Sequence, residues 1–328
     1  MSDIKPRITA LGSHVPATCV TNDELAAKID TSDEWIFSHT GIKSRHIADD
    51  ETATSDLAIA ALKALSKEQN IELDTIDALI VATATQDYPG FPSTACVIQA
   101  KLGLPPIAAF DISAGCTGFI YALEIAKALA ASNTYRRIAV VGSEKLTAIT
   151  DWTDRNTCVL FGDGAGCAFV EMSDTGHEIV DSVLHSEGTG ASYLSIPTGG
   201  TAYVDESTIE GNPRKIHMDG RAVYNFAVRV MCSVIEELVV RNGCSTDDID
   251  WFVPHQANSR IIAAAAKRLK IDLEKFYINI DQYANTSAAS IPIALAEMAQ
   301  KALLKPGQRV ITVGFGAGLT YGGNLLQW

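Results

Sequence analysis

A mostly parallel α/β fold, laid down twice along the chain, is what this sequence predicts, and three observations carry the prediction. Short, almost wholly apolar runs such as Ala78–Thr83 and Ile138–Val141 have the length of strands buried on both faces, the habit of parallel sheets. They alternate with segments whose apolar residues recur every three or four positions, as in amphipathic helices. Stretches of the first half also return in the second. Ile76-Asp77-Ala78-Leu79-Ile80-Val81 matches Ile249-Asp250-Trp251-Phe252-Val253-Pro254 at an offset of 173. Arg137-Ile138-Ala139-Val140-Val141-Gly142 matches Arg309-Val310-Ile311-Thr312-Val313-Gly314 at 172, and Ala122-Leu123 falls opposite Ala294-Leu295 at the same 172. Three anchors at nearly one spacing predict a duplicated βαβαβ unit. The halves, 1–175 and 176–328, divide where Ser173-Asp174-Thr175-Gly176 breaks the pattern.

In chain order, Arg7–Leu11 reads as a first strand. Thr21-Asn22-Asp23-Glu24 and Thr31-Ser32-Asp33-Glu34 each fit a capping box, so two short helices follow, the second stopping near Gly41. Leu57, Ala61, Leu62 and Leu65 mark a longer helix; Ala78–Thr83 is a buried strand; Pro92-Ser93 opens another helix. Pro106–Phe110 reads as a strand, and Phe119, Ala122, Leu123, Ala126 and Leu129 give the segment after Cys116 one apolar helical face. Ile138–Val141 is again a strand, followed by a hairpin with Gly162-Asp163-Gly164 at its tip. The glycine runs Gly162–Gly166 and Gly314–Gly318 lack G-x-G-x-x-G spacing and read as tight turns, not dinucleotide fingerprints.

Composition excludes several classes. With 328 residues, 47% hydrophobic and 20% charged, the chain can bury a large core in two domains or one layered one. A net charge of −13 argues against a general nucleic-acid binder, and any acidic partner must find a local basic patch. No apolar run is long enough to span a bilayer, and Met1-Ser2-Asp3-Ile4-Lys5 lacks the basic start and apolar stretch of a secretory signal. A cytoplasmic protein, with no membrane partner, is the expectation. The cysteines (Cys19, Cys96, Cys116, Cys158, Cys167, Cys232, Cys244) show no Cys-x-x-Cys pair, and the histidines no His-x-x-x-His pair, so reduced thiols and no metal are expected.

Chemistry concentrates at strand ends, where open α/β sheets collect their ligands. Cys116 sits on a strand-to-helix elbow, in the first turn of a helix, where unpaired amides and the helix dipole are expected to lower its pKa. The offset maps it onto the Ala288–Ala289 neighbourhood, so the thiol occurs in one copy only. Partners from the other copy stand at corresponding places: His255 directly after the Trp251–Pro254 strand, and Asn285 before the helix opening near Thr286. Each alone has a plain explanation, as a buried structural thiol, a satisfied loop histidine or a helix cap. Together, at equivalent ends of a doubled fold, they form a nucleophile with two hydrogen-bonding partners.

The chain resembles the β-ketoacyl-acyl carrier protein synthase III family over essentially its whole length. The resemblance rests on Thr31–Ile36, Thr40-Gly41-Ile42, Gly115-Cys116-Thr117-Gly118-Phe119, Phe161–Gly166, Pro254-His255-Gln256-Ala257-Asn258, Asn285-Thr286-Ser287-Ala288-Ala289-Ser290 and Gly314–Gly322. It implies a thiolase-like five-layered αβαβα fold, usually a homodimer, with Cys116, His255 and Asn285 as catalytic residues. The implied reaction is a decarboxylating condensation. Cys116 takes the acyl group of an acyl-coenzyme A, most often acetyl, and malonyl-acyl carrier protein then supplies the carbanion. No cofactor is implied; coenzyme A enters as the thioester substrate. The backbone amides of Cys116 and Ala317 would form the oxyanion hole, and Trp35, Arg155 and Asn258 would bind coenzyme A. Gln256, Ala257, Asn258, Ser259 and Arg260, with Lys267 and Arg268, would face the carrier protein; Phe161 and Phe315 would wall the acyl pocket, and Phe91 would reach across the dimer to close it.

Two positions depart from the family's habit: His39 where Arg is common near the adenine site, and Asn225 where Lys is common near the carrier surface. The chain also lacks the C-terminal cysteine of a biosynthetic thiolase, and Asn285 replaces the second histidine of elongating condensing enzymes. The remaining rivals are a specialised synthase III-like acyltransferase of secondary metabolism and a non-catalytic partner subunit. Primer-length preference separates the first. Acetylation of Cys116 separates the second.

Overall fold

The computed structural model describes residues 4–328; Met1–Asp3, part of the N-terminal stretch read above for a signal, lie outside them. Nine strands form one sheet made of two half-sheets. The front half runs, from its edge inward, Ala108–Ile112, Ala78–Ala82, Arg137–Lys145, Asp163–Ser173 and Lys5–His14. The rear half continues with His177–Ser186, Thr320–Gln327, Arg309–Gly316 and Trp251–Pro254. Parallel pairing joins Ala78 to Ile138 in front and Trp251 to Val310 behind, while the strands nearer the seam run antiparallel. The halves meet in a seam of two paired positions, Arg7 with Glu178 and Ile8 with His177.

Helices complete five layers. The Gly118–Ala131 and Ser290–Gln300 helices form the middle layer, and the core there draws Phe119, Ile120 and Leu123 from one half together with Ile291, Ala294 and Leu295 from the other. Thr54–Gln69 and Thr94–Leu102 cover the outer front face, where Leu57, Leu62 and Leu65 meet Leu79, Val81 and Ala139. Gly220–Arg241 and Ser259–Leu269 cover the outer rear face through Val230, Val234, Ile235 and Ile262. The expected αβαβα layering is present.

The duplication extends to hydrogen bonds. Asp77 N–H donates to the Arg137 carbonyl at 2.9 Å and its Oδ2 accepts from Arg137 N–H at 3.1 Å. Asp250 repeats both with Arg309, at 2.9 and 2.8 Å. Short 3-10 turns at Gly115–Thr117 and Ser287–Ala289 precede the two middle helices at the same offset, so Cys116 and Ala288 occupy equivalent positions.

Three local expectations need correcting. The strand expected at Pro106–Phe110 runs from Ala108 to Ile112, because Pro105 and Pro106 have no N–H to give a ladder. It lies at the sheet edge and is half-buried. Gly164 and Gly166 are not turn residues but lie within the Asp163–Ser173 strand: a Cβ on Gly166 would stand 2.7 Å from the Ile293 amide nitrogen, so glycine admits the crossing helix. Gly314 and Gly316 likewise lie in the Arg309–Gly316 strand.

Candidate active site

Cys116, His255 and Asn285 line one cavity of about 690 Å³, together with Phe161 and Phe315. Each is held by its own element. Cys116 is the middle residue of the Gly115–Thr117 turn, one residue short of the Gly118–Ala131 helix. Gly115 has φ +50°, and a Cβ on it would lie 2.9 Å from Ala317 N; one on Gly316 would lie 2.5 Å from Cys116 N. The two glycines therefore let the backbone segments carrying the Cys116 and Ala317 amides meet.

The structure overturns the expectation of a lowered thiol pKa. Cys116 is half-buried, yet desolvation pushes its pKa up to about 12; a Ser287 hydrogen bond pulls the other way and the Glu144 carboxylate adds to the rise. Burial beside an acid outweighs the helix end. The resting group is a thiol.

His255 N–H donates to the Val313 carbonyl at 2.8 Å, fixing the residue to the neighbouring strand. Its ring is buried edge-on to Phe315, with centroids 5.5 Å apart, and Nδ1 lies 2.7 Å from Ser290 Oγ. Burial lowers its pKa to about 3, so the imidazole is neutral. Asn285 is tied to the front half by a two-bond bridge: its N–H donates to the Leu160 carbonyl at 2.9 Å, and its carbonyl accepts from Gly162 N–H at 3.0 Å. Its Oδ1 accepts from Ser287 N–H at 2.8 Å, so the carboxamide presents its N–H groups as the remaining donors. The capping role and the functional one coexist.

The outlying residues divide. Trp35 and Arg155 are together, the guanidinium carbon 4.7 Å from the indole centroid, while His39 stacks on Trp35 at 4.6 Å. The two side chains expected to bind coenzyme A are closed on each other here, and Arg155 lies outside the cavity lining, 3.8 Å from the Asp30 carboxylate. An adenine between them requires these side chains to part. Asn258 caps the Ser259–Leu269 helix, and its Nδ2 donates to the His39 carbonyl at 3.0 Å. Gln256 fails as a partner contact: it is 1% exposed, with Nε2 donating to the Pro254 and Tyr277 carbonyls and Oε1 accepting from Asn279 N–H. Ser259 Oγ would stand 2.4 Å from a Cβ on Gly41, so it packs against that turn. Ala257 and Arg260 line the cavity, with Arg260 exposed, and Lys267 and Arg268 stand exposed in the helix's last turn. Phe91 is 87% exposed and takes no part in its own chain's cavity.

Sequence reasoning missed Glu144, Ser287, Ser290 and the exposed, cavity-lining Arg221. Glu144 sits at the carboxyl end of a parallel strand, the same signal that singled out His255. Ser290 carried no signal of its own. Among the described residues no group of three or more His, Cys, Asp or Glu could hold a metal ion, all seven cysteines are free, and no helix is long and apolar enough to cross a membrane.

Comparison with known proteins gives the family. Models of 3-oxoacyl-[acyl-carrier-protein] synthase III match residues 110–188, and of its C-terminal part residues 239–328. The β-ketoacyl-[acyl-carrier-protein] synthase III of Caldanaerobacter subterraneus subsp. tengcongensis is 50% identical over 98% of this chain and 97% of its own. The chain belongs to the synthase III family. The synthase III crystal structure from Thermus thermophilus is 43% identical, with a TM-score of 0.92 over 98% of this chain and 99% of that one. A priming β-ketosynthase from the R1128 polyketide biosynthetic pathway is 32% identical, with a TM-score of 0.90 over 99% of this chain and 97% of that one. Membership in synthase III makes the chain a condensing acyltransferase of the thiolase fold.

Proposed function

We propose that Cys116 carries the acyl group between the two halves of the synthase III reaction, with His255 and Asn285 serving the second half. As a synthase III, the chain condenses an acyl-coenzyme A primer with malonyl-acyl carrier protein to begin fatty acid synthesis. The observation that carries the residue assignment is the convergence of one thiol, one neutral imidazole and one oriented carboxamide on a single cavity. Cys116 attacks the thioester carbonyl, its own amide and that of Ala317 hold the developing oxyanion, and coenzyme A leaves.

Malonyl-acyl carrier protein then takes the vacated channel. Carbon dioxide departs, and the enolate left on the thioester oxygen is held by hydrogen bonds from His255 Nε2 and Asn285 Nδ2. We assign the imidazole proton to Nε2. Ser290 Oγ accepts from Gln256 N–H at 3.4 Å, so its own hydrogen is available to Nδ1. A neutral His255 donates without competing as an acid, and Asn285 cannot ionise. The enolate carbon attacks acyl-Cys116 and releases 3-oxoacyl-acyl carrier protein.

Coenzyme A is read as entering past Trp35, Arg155 and Asn258. The acidic carrier is read as docking on Arg260, Lys267 and Arg268, the local basic patch that a chain of net charge −13 must supply. Phe161 and Phe315, which line the cavity, are read as walling the acyl end, and the large ring of Phe91 is read as favouring a short primer such as acetyl. The homodimer, with Phe91 given to a partner subunit, and the division into halves 1–175 and 176–328 belong to the same reading.

Acetylation tests it. Mixing the chain with acetyl-coenzyme A should add one acetyl group by intact-protein mass spectrometry, and Cys116→Ser should show none. An unmodified native chain would favour the non-catalytic subunit. The likeness to a polyketide priming enzyme supports a second reading, a specialised acyltransferase, and acylation rates across primers of increasing length decide between them.

A further inference from the structure

We propose that Thr320 is a positioning residue for the oxyanion hole, its hydroxyl holding the Ala317 segment of the rear half against the Cys116 turn of the front half. The proposal rests on the acyl-cysteine reading above, in which the Cys116 and Ala317 amides share the thioester oxygen. An oxyanion hole works only if its donors already stand about 2.7–3.1 Å from where the charge will develop. Here the two donors belong to different halves of the chain, so something must fix one to the other.

The sheet does not do so by itself. The Arg309–Gly316 and Thr320–Gln327 strands pair as far as Gly316 with Thr320, which leaves Ala317, Gly318 and Leu319 as the tip of the hairpin. Gly318 is exposed and holds φ +137°. Leu319 is tied to Glu187 by two backbone bonds, 2.8 and 3.3 Å, but that tie stays within the rear half. Among the described residues no backbone hydrogen bond takes up the Cys116 or the Ala317 amide. Both are free for a ligand, and neither helps to hold the tip.

The Thr320 hydroxyl crosses between the halves. Its Oγ1 donates to the Ala114 carbonyl at 2.9 Å and to the Ala317 carbonyl at 3.1 Å, one hydrogen shared by two acceptors. It accepts from Thr117 Oγ1 at 2.8 Å. Ala114 and Thr117 flank Gly115 and Cys116, so one oxygen touches both ends of the Cys116 turn and the residue that carries the second amide. Thr117 is buried, and Thr320 is itself held on both sides, paired with Gly316 and with Ser186. Gly115 and Gly316 permit the close approach of the two backbones; the hydroxyl sets its distance.

The tie is asymmetric. Without the Thr320 hydroxyl, Thr117 Oγ1 still donates to the Ala114 carbonyl at 2.7 Å, and the Cys116 turn keeps its internal bond. The Ala317 carbonyl has no such substitute. Removing the hydroxyl therefore loosens the Ala317 amide and leaves the nucleophile where it is.

The test uses acetyl-coenzyme A labelled with ¹³C at the acetyl carbonyl, on the native chain, Thr320→Val and Thr320→Ser. Single-turnover acetylation gives the rate, and infrared difference spectra give the carbonyl stretch of acetyl-Cys116, which hydrogen bonds from the oxyanion hole lower. Thr320→Val should slow the limiting rate roughly tenfold, less than outright loss of an oxyanion donor, with the half-saturating acetyl-coenzyme A unmoved. Its carbonyl stretch should move up from the native position. Thr320→Ser, which keeps the hydroxyl, should stay near native in both. Thr320→Ala also lacks the hydroxyl and keeps the test available if valine disturbs the hairpin. A valine or alanine variant with the native stretch overturns the proposal, whatever its rate, because a merely structural threonine would leave the carbonyl unmoved. Equal losses in the serine and valine variants overturn it as well, and both outcomes leave the acyl-cysteine reading standing. A native chain that takes no acetyl group overturns that reading first, and this proposal with it.

Discussion

At the scale of single residues, the site separates a group that must be made reactive from groups that must stay inert. Cys116 is held as a thiol by the same burial that keeps His255 neutral. The consequence for His255 has a sign. Its pKa is lowered from 6.5 to about 3, so acidification through 6.5 leaves the ring uncharged and still able to donate. Condensation measured on pre-acetylated enzyme should therefore show no loss attributable to histidine protonation until the pH nears 4; an acid limb centred near 6.5 that vanishes in His255→Asn would contradict this. His255→Ala and Asn285→Ala should each slow decarboxylation of malonyl-acyl carrier protein by about 10²–10³-fold, as for other oxyanion donors. Acetylation of Cys116 should persist in both. Carbon dioxide release and the mass adduct, measured side by side, check the split.

Among the elements, the Ser259–Leu269 helix is the one whose function can be tested without touching the chemistry. Lys267 and Arg268 lie in its last turn, outside the cavity lining. Reversing both to Glu should raise the KM for malonyl-acyl carrier protein roughly tenfold, most at low salt, because exposed charges steer association and are screened within about 8–10 Å. Acetylation by acetyl-coenzyme A should be unchanged. Equal effects on both half-reactions would move the carrier surface elsewhere. The elements also differ in how plainly the sequence announced them. The capping box at Thr21 and the left-handed stop at Gly41 are local chemistry, and both stand where expected. The Gly220–Arg241 helix went unpredicted although Phe226, Val230, Val234, Ile235 and Leu238 carry helical spacing. Gly166 and Gly316 misled for a physical reason. A glycine kept free of a Cβ for a crossing helix, or for the Cys116 turn, looks in one sequence like a glycine in a turn. Cys116, His255 and Asn285 were legible because duplication placed them at comparable ends; Ser287 and Ser290 were not, since only packing turns a helix-opening serine toward a buried ring or thiol.

Across the whole molecule, the front and rear halves are joined by the middle helices, by the Leu160–Gly162 bridge to Asn285, and by the short seam at Ile8 and His177. The bridge explains why the site needs both copies: the front half fixes the backbone of a rear-half donor. The seam is where the assembly is sensitive to acid. His177 stacks on Trp328 with centroids 3.5 Å apart and planes 11° apart, and its Nδ1 is buried without a hydrogen-bond partner. Burial, helped by the Arg7 charge, lowers its pKa from 6.5 to about 4. A depressed histidine contributes its stability fully above the unfolded value of 6.5 and loses it as the pH falls toward 4, a contribution on the order of 2–3 kcal/mol. Glu144 acts in the opposite sense, its contribution fading as the pH rises through about 7. Urea unfolding at neutral pH and near pH 4.5 should therefore show the native chain losing more stability on acidification than His177→Gln, which cannot take the proton. The variant starts lower because it gives up the stack on Trp328, so the comparison must be of the two slopes and not of the two midpoints. Equal slopes would place the acid-sensitive group elsewhere, with His255 the next to substitute.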